Sequence, residues 1–349
     1  MTSTLRSEIH EIPARAADLI GKASSIFDKI RDQYLQCAPQ TFYTLARGSS
    51  DAAATVGQYY LNQSTGKLVT SLNPSFLSND NTSLELPRSW LIAISQSGAS
   101  PDLINAVHQF RENAPAGSMV LCITNSENSP LAKASDFVVP VMAGPEVSIA
   151  ATKSVTNTIL AMGLLGLWCR TAFPNDLAPA LTQVKTLLEA AQKFEMEIAH
   201  NQNAVDAANA FVIGRKQSFG IAQEVALKLK ETSGLMAEAF SSAEVMHGPK
   251  ALVRTGFPVF SFAPYPETSN ALSTAHINTE EHLVSLGASL IQCPLTKTDD
   301  FDIIDADFST LVFQIAQLTS FYNGLIDFSL KRGNDPDKPS NLLKITQTV

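Results

Sequence analysis

The sequence predicts an α/β fold of two tandem units, each a parallel sheet flanked by helices. Three observations predict it. Short apolar runs alternate with segments of helical period, the pattern of a parallel sheet covered on both faces. The same alternation returns, more loosely, in the second half of the chain. No low-complexity stretch or long linker separates the halves, so the two units are expected to pack closely.

Residues 1–38 read as an N-terminal helical arm, because Leu19, Ile20, Ile26 and Ile30 recur at roughly helical spacing. The first unit, 39–200, opens with a strand, "TFYTLA" (41–46), a tight turn, "RGSSD", and a helix, "AAATVGQYYL". A second strand, "SWLIAI" (89–94), runs into "SQSGAS" and the helix "PDLINAVHQFREN". A third strand, "SMVLCIT" (118–124), a short helix, "PLAKAS", and a fourth strand, "DFVVPV" (136–141), follow. Helical sequence across 152–202 joins this unit to the second, 201–349. There "AFVIG" (210–214) reads as a strand, "RKQSF" as a turn and "GIAQEVALKLKETSG" as a helix. "PVFSFA" (258–263) and "ASLIQC" (288–293) read as later strands.

Apolar residues make up 45% and charged residues 17% of the 349-residue chain, enough for sizeable cores. A net charge of -8 argues against a partner such as nucleic acid or an anionic membrane, since both need clustered Lys and Arg. A small anionic ligand stays open, because a few aimed dipoles can hold one. Cys37, Cys122, Cys169 and Cys293 show no CxxC or metal-like spacing and read as buried free thiols of a reducing cytosol. No His/Cys/carboxylate cluster has ligand spacing, so neither a metal nor an organic cofactor is expected. The charged N-terminus lacks an apolar signal core, and the longest apolar run, Ile159 to Cys169, is too short to span a bilayer. A soluble cytoplasmic protein is the expectation.

The buried-looking strand 89–94 ends abruptly in Ser95, Gln96, Ser97, Gly98, Ala99 and Ser100, uncharged residues rich in hydrogen-bonding groups. In an open parallel sheet, ligands bind beyond the carboxyl ends of the strands. The unpaired N–H groups at the start of the following helix favour an anion. "RGSSD", with Gly48, Ser49 and Ser50, offers the same arrangement after the first strand, and two such loops would make one phosphate cradle. The plainer reading is that Ser100 caps a helix that has Pro101 at its first position. Neither GxGxxG nor GxxxxGK[ST] is present, which speaks against a dinucleotide or P-loop ligand.

In the second half, Glu224, Lys228 and Glu231 share one stripe of a helix. Pattern alone favours a solvated, salt-bridged face for them. His247, before Gly-Pro, reads by itself as a loop residue, and Lys344 as part of a solvated C-terminal tail.

Several motifs together resemble the sugar isomerase (SIS) domain: "GSSD", "ISQSGASPD", "AATKS" (150–154), "LKLKETSGLMAEAFSSAEVMHGP" (227–249) and "DPDKPSNLLKITQT" (335–348). They are similar to the isomerase half of glucosamine-6-phosphate synthase, and still more to the stand-alone SIS-type glucosamine-6-phosphate deaminases. The resemblance implies that Gly48, Ser49, Ser50, Ser95, Gln96, Ser97 and Ser100 hold a phosphate, and that Ile149, Ala151 and Leu343 line the sugar. It implies Glu231 as the acid/base carboxylate acting between C1 and C2 and Lys228 as the group tuning it. His247 would open the ring, entering from the neighbouring subunit of a homodimer, and Lys344 would contact the sugar carbonyl or transiently condense with it. Ala151 replaces a Ser of the synthase pattern, which bears on substrate identity, whereas Ser100 replaces a Thr and keeps the hydroxyl. The chain shows no glutaminase domain and no N-terminal Cys nucleophile, so free ammonia is the expected product or, in reverse, the substrate. The implied activity is conversion of glucosamine 6-phosphate to fructose 6-phosphate and ammonia. The alternatives are a fructosamine-6-phosphate deglycase, a galactosamine-6-phosphate deaminase and a non-catalytic phosphosugar sensor.

Overall fold

The structure, a computed structural model, describes residues 3–78, 85–170, 178–264, 270–293, 306–342 and 344. The expected arm is broken into α1 (Thr4–His10) and α2 (Ile12–Gln36). Pro13 explains the break: without an N–H it is tolerated in the first turn of a helix and disruptive further in. Leu19 and Ile30 of α2 are buried, as their spacing predicts.

The first sheet comes from β1 (Thr41–Leu45), β2 (Leu68–Ser71), β3 (Ser89–Ile94), β4 (Met119–Thr124) and β5 (Phe137–Pro140). Between them lie α3 (Ser49–Thr65), α4 (Pro74–Ser78), α5 (Pro101–Asn113) and α6 (Pro130–Lys133). All its pairings are parallel, in the order β2-β1-β3-β4-β5. The apolar run of β3 is buried at every position, as expected of a central strand covered on both faces.

After β5 come α7 (Lys153–Trp168), α8 (Ala178–Ala191) and α9 (Gln202–Asp206). The second sheet comes from β6 (Asn209–Gly214), β7 (Met236–Ser241), β8 (Pro258–Phe262) and β9 (Ser289–Gln292). Its helices are α10 (Gln217–Ser233), α11 (Asn270–Ser285) and α12 (Ala306–Lys331). Pairing is again parallel, in the order β7-β6-β8-β9. The two parallel sheets flanked by helices match the predicted class. Of the four edge strands, β2 and β7 were not expected; β2 is largely exposed and carries little apolar signal.

The units meet through α3, α7, α10 and α12. Helix α7 is buried along its whole length. Gly220 lets α10 approach α3 closely: a Cβ there would stand 2.6 Å from Val56 Cγ2 and 2.8 Å from the Ala52 carbonyl oxygen. The turns "RGSSD" and "RKQSF" are shorter than expected, because α3 starts at Ser49 and α10 at Gln217. None of the four cysteines is in a disulfide, but only Cys122 and Cys169 are buried. Cys37 and Cys293 are half-buried, since they lie just beyond the ends of α2 and β9 rather than within an element. Among the described residues no helix is long and apolar enough to cross a membrane.

Candidate functional site

The strand order of the first sheet reverses between β1 and β3, and the loops that follow these two strands share the crevice at that point. Gly48 turns the chain at φ 56° and ψ -131°, a corner that a side chain with a Cβ rarely takes, so α3 begins at once with Ser49 and Ser50. After β3, the buried Ser95 Oγ accepts from the Gly98 N–H at 3.1 Å, and Ser97 Oγ from the Ala99 N–H at 3.3 Å. Gly98 has φ +61°, and a Cβ on it would fall 2.0 Å from Ser129 Oγ. The Gln96 carbonyl accepts from the Asn125 N–H at 3.1 Å, which ties the loop to the end of β4. Ser100 is the N-cap of α5, with Pro101 in the first turn, yet its hydroxyl makes no cap bond. The expected cap position is thus kept without its side-chain bond, and the Ser100 carbonyl accepts the first helical bond, from the Ile104 N–H at 3.2 Å. Arg47 Nε, 3.1 Å from Asp102 Oδ2, joins the β1 loop to the start of α5.

Burial overturns the solvated face expected of the α10 stripe. Glu224 and Lys228 are each 1% exposed. Lys228 Nζ donates to Glu231 Oε2 at 2.6 Å and to Ser49 Oγ at 2.9 Å, and lies 3.4 Å from Glu224 Oε1. The Tyr322 hydroxyl, from α12, donates to Glu224 Oε1 at 2.8 Å. Burial pushes the Glu224 carboxyl upward, with the Lys228 charge opposing. Burial alone would lower Lys228, but the charges of Glu224 and Glu231 outweigh it and hold the ammonium above its ordinary range. Burial and then the Glu224 carboxylate, with Glu146 and Glu231 adding to it, push the Tyr322 phenol well up. Glu231, whose side chain is 22% exposed, is the member of the stripe open to a ligand.

A second group forms around the segment before α7. Glu146 Oε1 accepts from the Thr152 and Ser154 N–H groups at 3.0 and 3.1 Å, and Oε2 from the Ser154 hydroxyl at 2.6 Å. Lys344 Nζ donates to the Ser148 carbonyl at 2.5 Å and lies 3.5 Å from Glu146 Oε2. Ile149 and Ala151, both half-buried, are on this same segment, whereas Leu343 lies outside the described residues. His247 sits exposed in the 3₁₀ turn Glu244–His247 and shares no hydrogen bond or ion pair with the Lys228 group.

The structure therefore joins Ser49, Lys228 and Glu231 directly and gathers Lys344 with the 146–154 segment. Sequence reasoning passed over Arg47, Glu146 and Tyr322 as site residues. Arg47 borders the serine loop and was legible as a charge at its edge, but nothing in the pattern around Glu146 or Tyr322 marks them.

The family model described as "SIS domain" matches residues 34–167 and 205–296. A glutamine–fructose-6-phosphate aminotransferase (isomerizing) of Corynebacterium glutamicum is 27% identical over 366 residues, spanning 98% of this chain but 58% of that protein. The C-terminal domain of glucosamine-fructose-6-phosphate aminotransferase from Francisella tularensis superposes with a TM-score of 0.81 at 25% identity, covering 97% of this chain and 99% of that one. A phosphosugar isomerase candidate from Silicibacter pomeroyi DSS-3 superposes with a TM-score of 0.83 at 31% identity, covering 96% and 100%. Both halves of the family match contain a strand-loop-helix segment of the candidate site, and the chain belongs to the SIS domain family.

Proposed function

We propose that this protein is an aldose–ketose isomerase acting on an amino sugar phosphate, converting glucosamine 6-phosphate and water to fructose 6-phosphate and ammonia. One observation carries the reading: Lys228 bridges Glu231, the candidate base, and Ser49 of the candidate phosphate loop, at 2.6 and 2.9 Å. Such a bridge sets the carboxylate at a fixed distance from a bound phosphate. His247 protonates the ring oxygen and opens the sugar. Glu231 takes the proton from C2 of the open chain and returns it to C1, while a proton passes from the C2 amine to the C1 oxygen. The aldehyde thus becomes a hydroxymethyl group and the amine an imine. Water adds at C2 and ammonia leaves, so the balance needs no redox partner. The exposure of His247 suits a residue lent to the site of a second copy in a homodimer.

The test is ammonia and fructose 6-phosphate release by the purified protein, with glucosamine 6-phosphate, galactosamine 6-phosphate and a fructosamine 6-phosphate–amino acid adduct as substrates. Stoichiometric ammonia and fructose 6-phosphate from the first compound supports the proposal. Turnover of another member alone keeps the site and overturns the substrate. Tight phosphosugar binding without turnover of any of them makes the protein a sensor.

A further inference from the structure

We propose that Glu146 is a positioning residue that holds the Lys344 ammonium over the substrate segment while fixing that segment to the start of α7. This rests on the reading of Lys344 as a site residue. The Glu146 side chain is 0% exposed, so its charge has left water and needs partners. Its two oxygens divide the work. Oε1 is taken by the Thr152 and Ser154 N–H groups, which caps the helix. Oε2, already bonded to the Ser154 hydroxyl, also faces Lys344 Nζ at 3.5 Å.

The surroundings make this contact selective. From the arm side, Glu8 Oε1 accepts from the Ser148 N–H at 3.3 Å, and Glu11 pairs with Lys153 Nζ at 2.9 Å. The C-terminal tail is pinned further back by Asp337, which accepts from the Thr4 and Leu5 N–H groups of α1 at 3.0 and 2.8 Å. Of these four carboxylates, Glu146 is the one that reaches both the 146–154 segment and the Lys344 ammonium. Its charge, like that of Glu231, also helps to raise the Tyr322 phenol after burial and Glu224.

A helix cap needs only an acceptor, whereas Lys344 needs the charge, so the isosteric Glu146→Gln separates the two roles. Glu146→Gln and Lys344→Ala are made singly and together, and Glu146→Asp is made as the rescue. Backbone hydrogen exchange around Lys344 is read in each, and kcat and KM are measured on whichever member of the substrate panel turns over. The expectation is faster exchange around Lys344 in Glu146→Gln and a kcat lowered by about 10- to 100-fold with KM within a few-fold, the pattern of a misplaced group at the reacting centre. In the Lys344→Ala background, Glu146→Gln should lower kcat no further, and Glu146→Asp alone should recover part of the loss. Additive losses in the double variant, or wild-type exchange around Lys344 in Glu146→Gln, would overturn the proposal. The exchange reading decides the matter even if no panel member turns over, and Glu146→Asp serves for it should Glu146→Gln fail to fold.

Discussion

At the scale of single residues, burial decides which side chains react. Burial pushes the Cys122 and Cys169 thiols up to about 12, so neither forms thiolate at neutral pH. A thiol reagent followed by mass spectrometry should therefore label these two only after unfolding. Glu231→Gln should keep phosphosugar binding while turnover falls about 10²- to 10⁴-fold, the usual loss for an acid/base group. Unchanged kcat in that variant would remove the carboxylate from the mechanism. The stripe Glu224-Lys228-Glu231 was legible in the sequence, but its burial was not. Spacing places three residues on one helix face without saying what covers that face. Here it is α3, whose Ser49 reaches Lys228, and α12, whose Tyr322 reaches Glu224. Both partners lie far away in sequence, so no local pattern could have named them.

At the scale of elements, the two units repeat one device under different chemistry. In each sheet an inner strand, β1 or β6, feeds a helix through a sharp corner, at φ 56°, ψ -131° for Gly48 and φ 50°, ψ -124° for Lys216. Glycine takes this corner freely, whereas a lysine is strained there by about 1–3 kcal/mol. Lys216→Gly should thus stabilise the protein by about 1 kcal/mol after glycine's own entropic cost, measured as a shift in the urea midpoint at constant m. Gly220→Ala should do the opposite. Its Cβ would press on Val56 and on the Ala52 carbonyl, with an overpacking cost of about 1–3 kcal/mol, and would push Lys228 away from Ser49. The central strands were readable because they are buried on both faces and so consist of apolar runs. Two of the edge strands were not, since "LVTS" in β2 is exposed and "MAEAFS" in β7 has no continuous apolar run and carries Glu238 in its middle, whereas the edges β5 and β9 kept enough apolar residues to be read.

At the scale of the molecule, buried polar groups make stability depend on pH. Burial would raise the Glu280 carboxyl, but the neighbouring His276 and Ser261 and a hydrogen bond from Gln292 outweigh it and hold it below the ordinary 4.5. A depressed carboxylate contributes fully above its unfolded value, and the contribution is lost as pH falls through the folded one. Stability measured by urea unfolding should therefore drop below about pH 4.5, and Glu280→Gln should flatten that part of the profile. The sequence by itself determined the α/β class, the tandem units, the serine loops at strand ends and the charged stripe, because each depends on period and local chemistry alone. Only the tertiary structure decided that Lys228 is buried against Ser49, that Glu146 meets Lys344, and that the arm and the tail pin each other through Asp337. These contacts join residues 179, 198 and 332 positions apart, a pairing that packing selects and no sequence window contains.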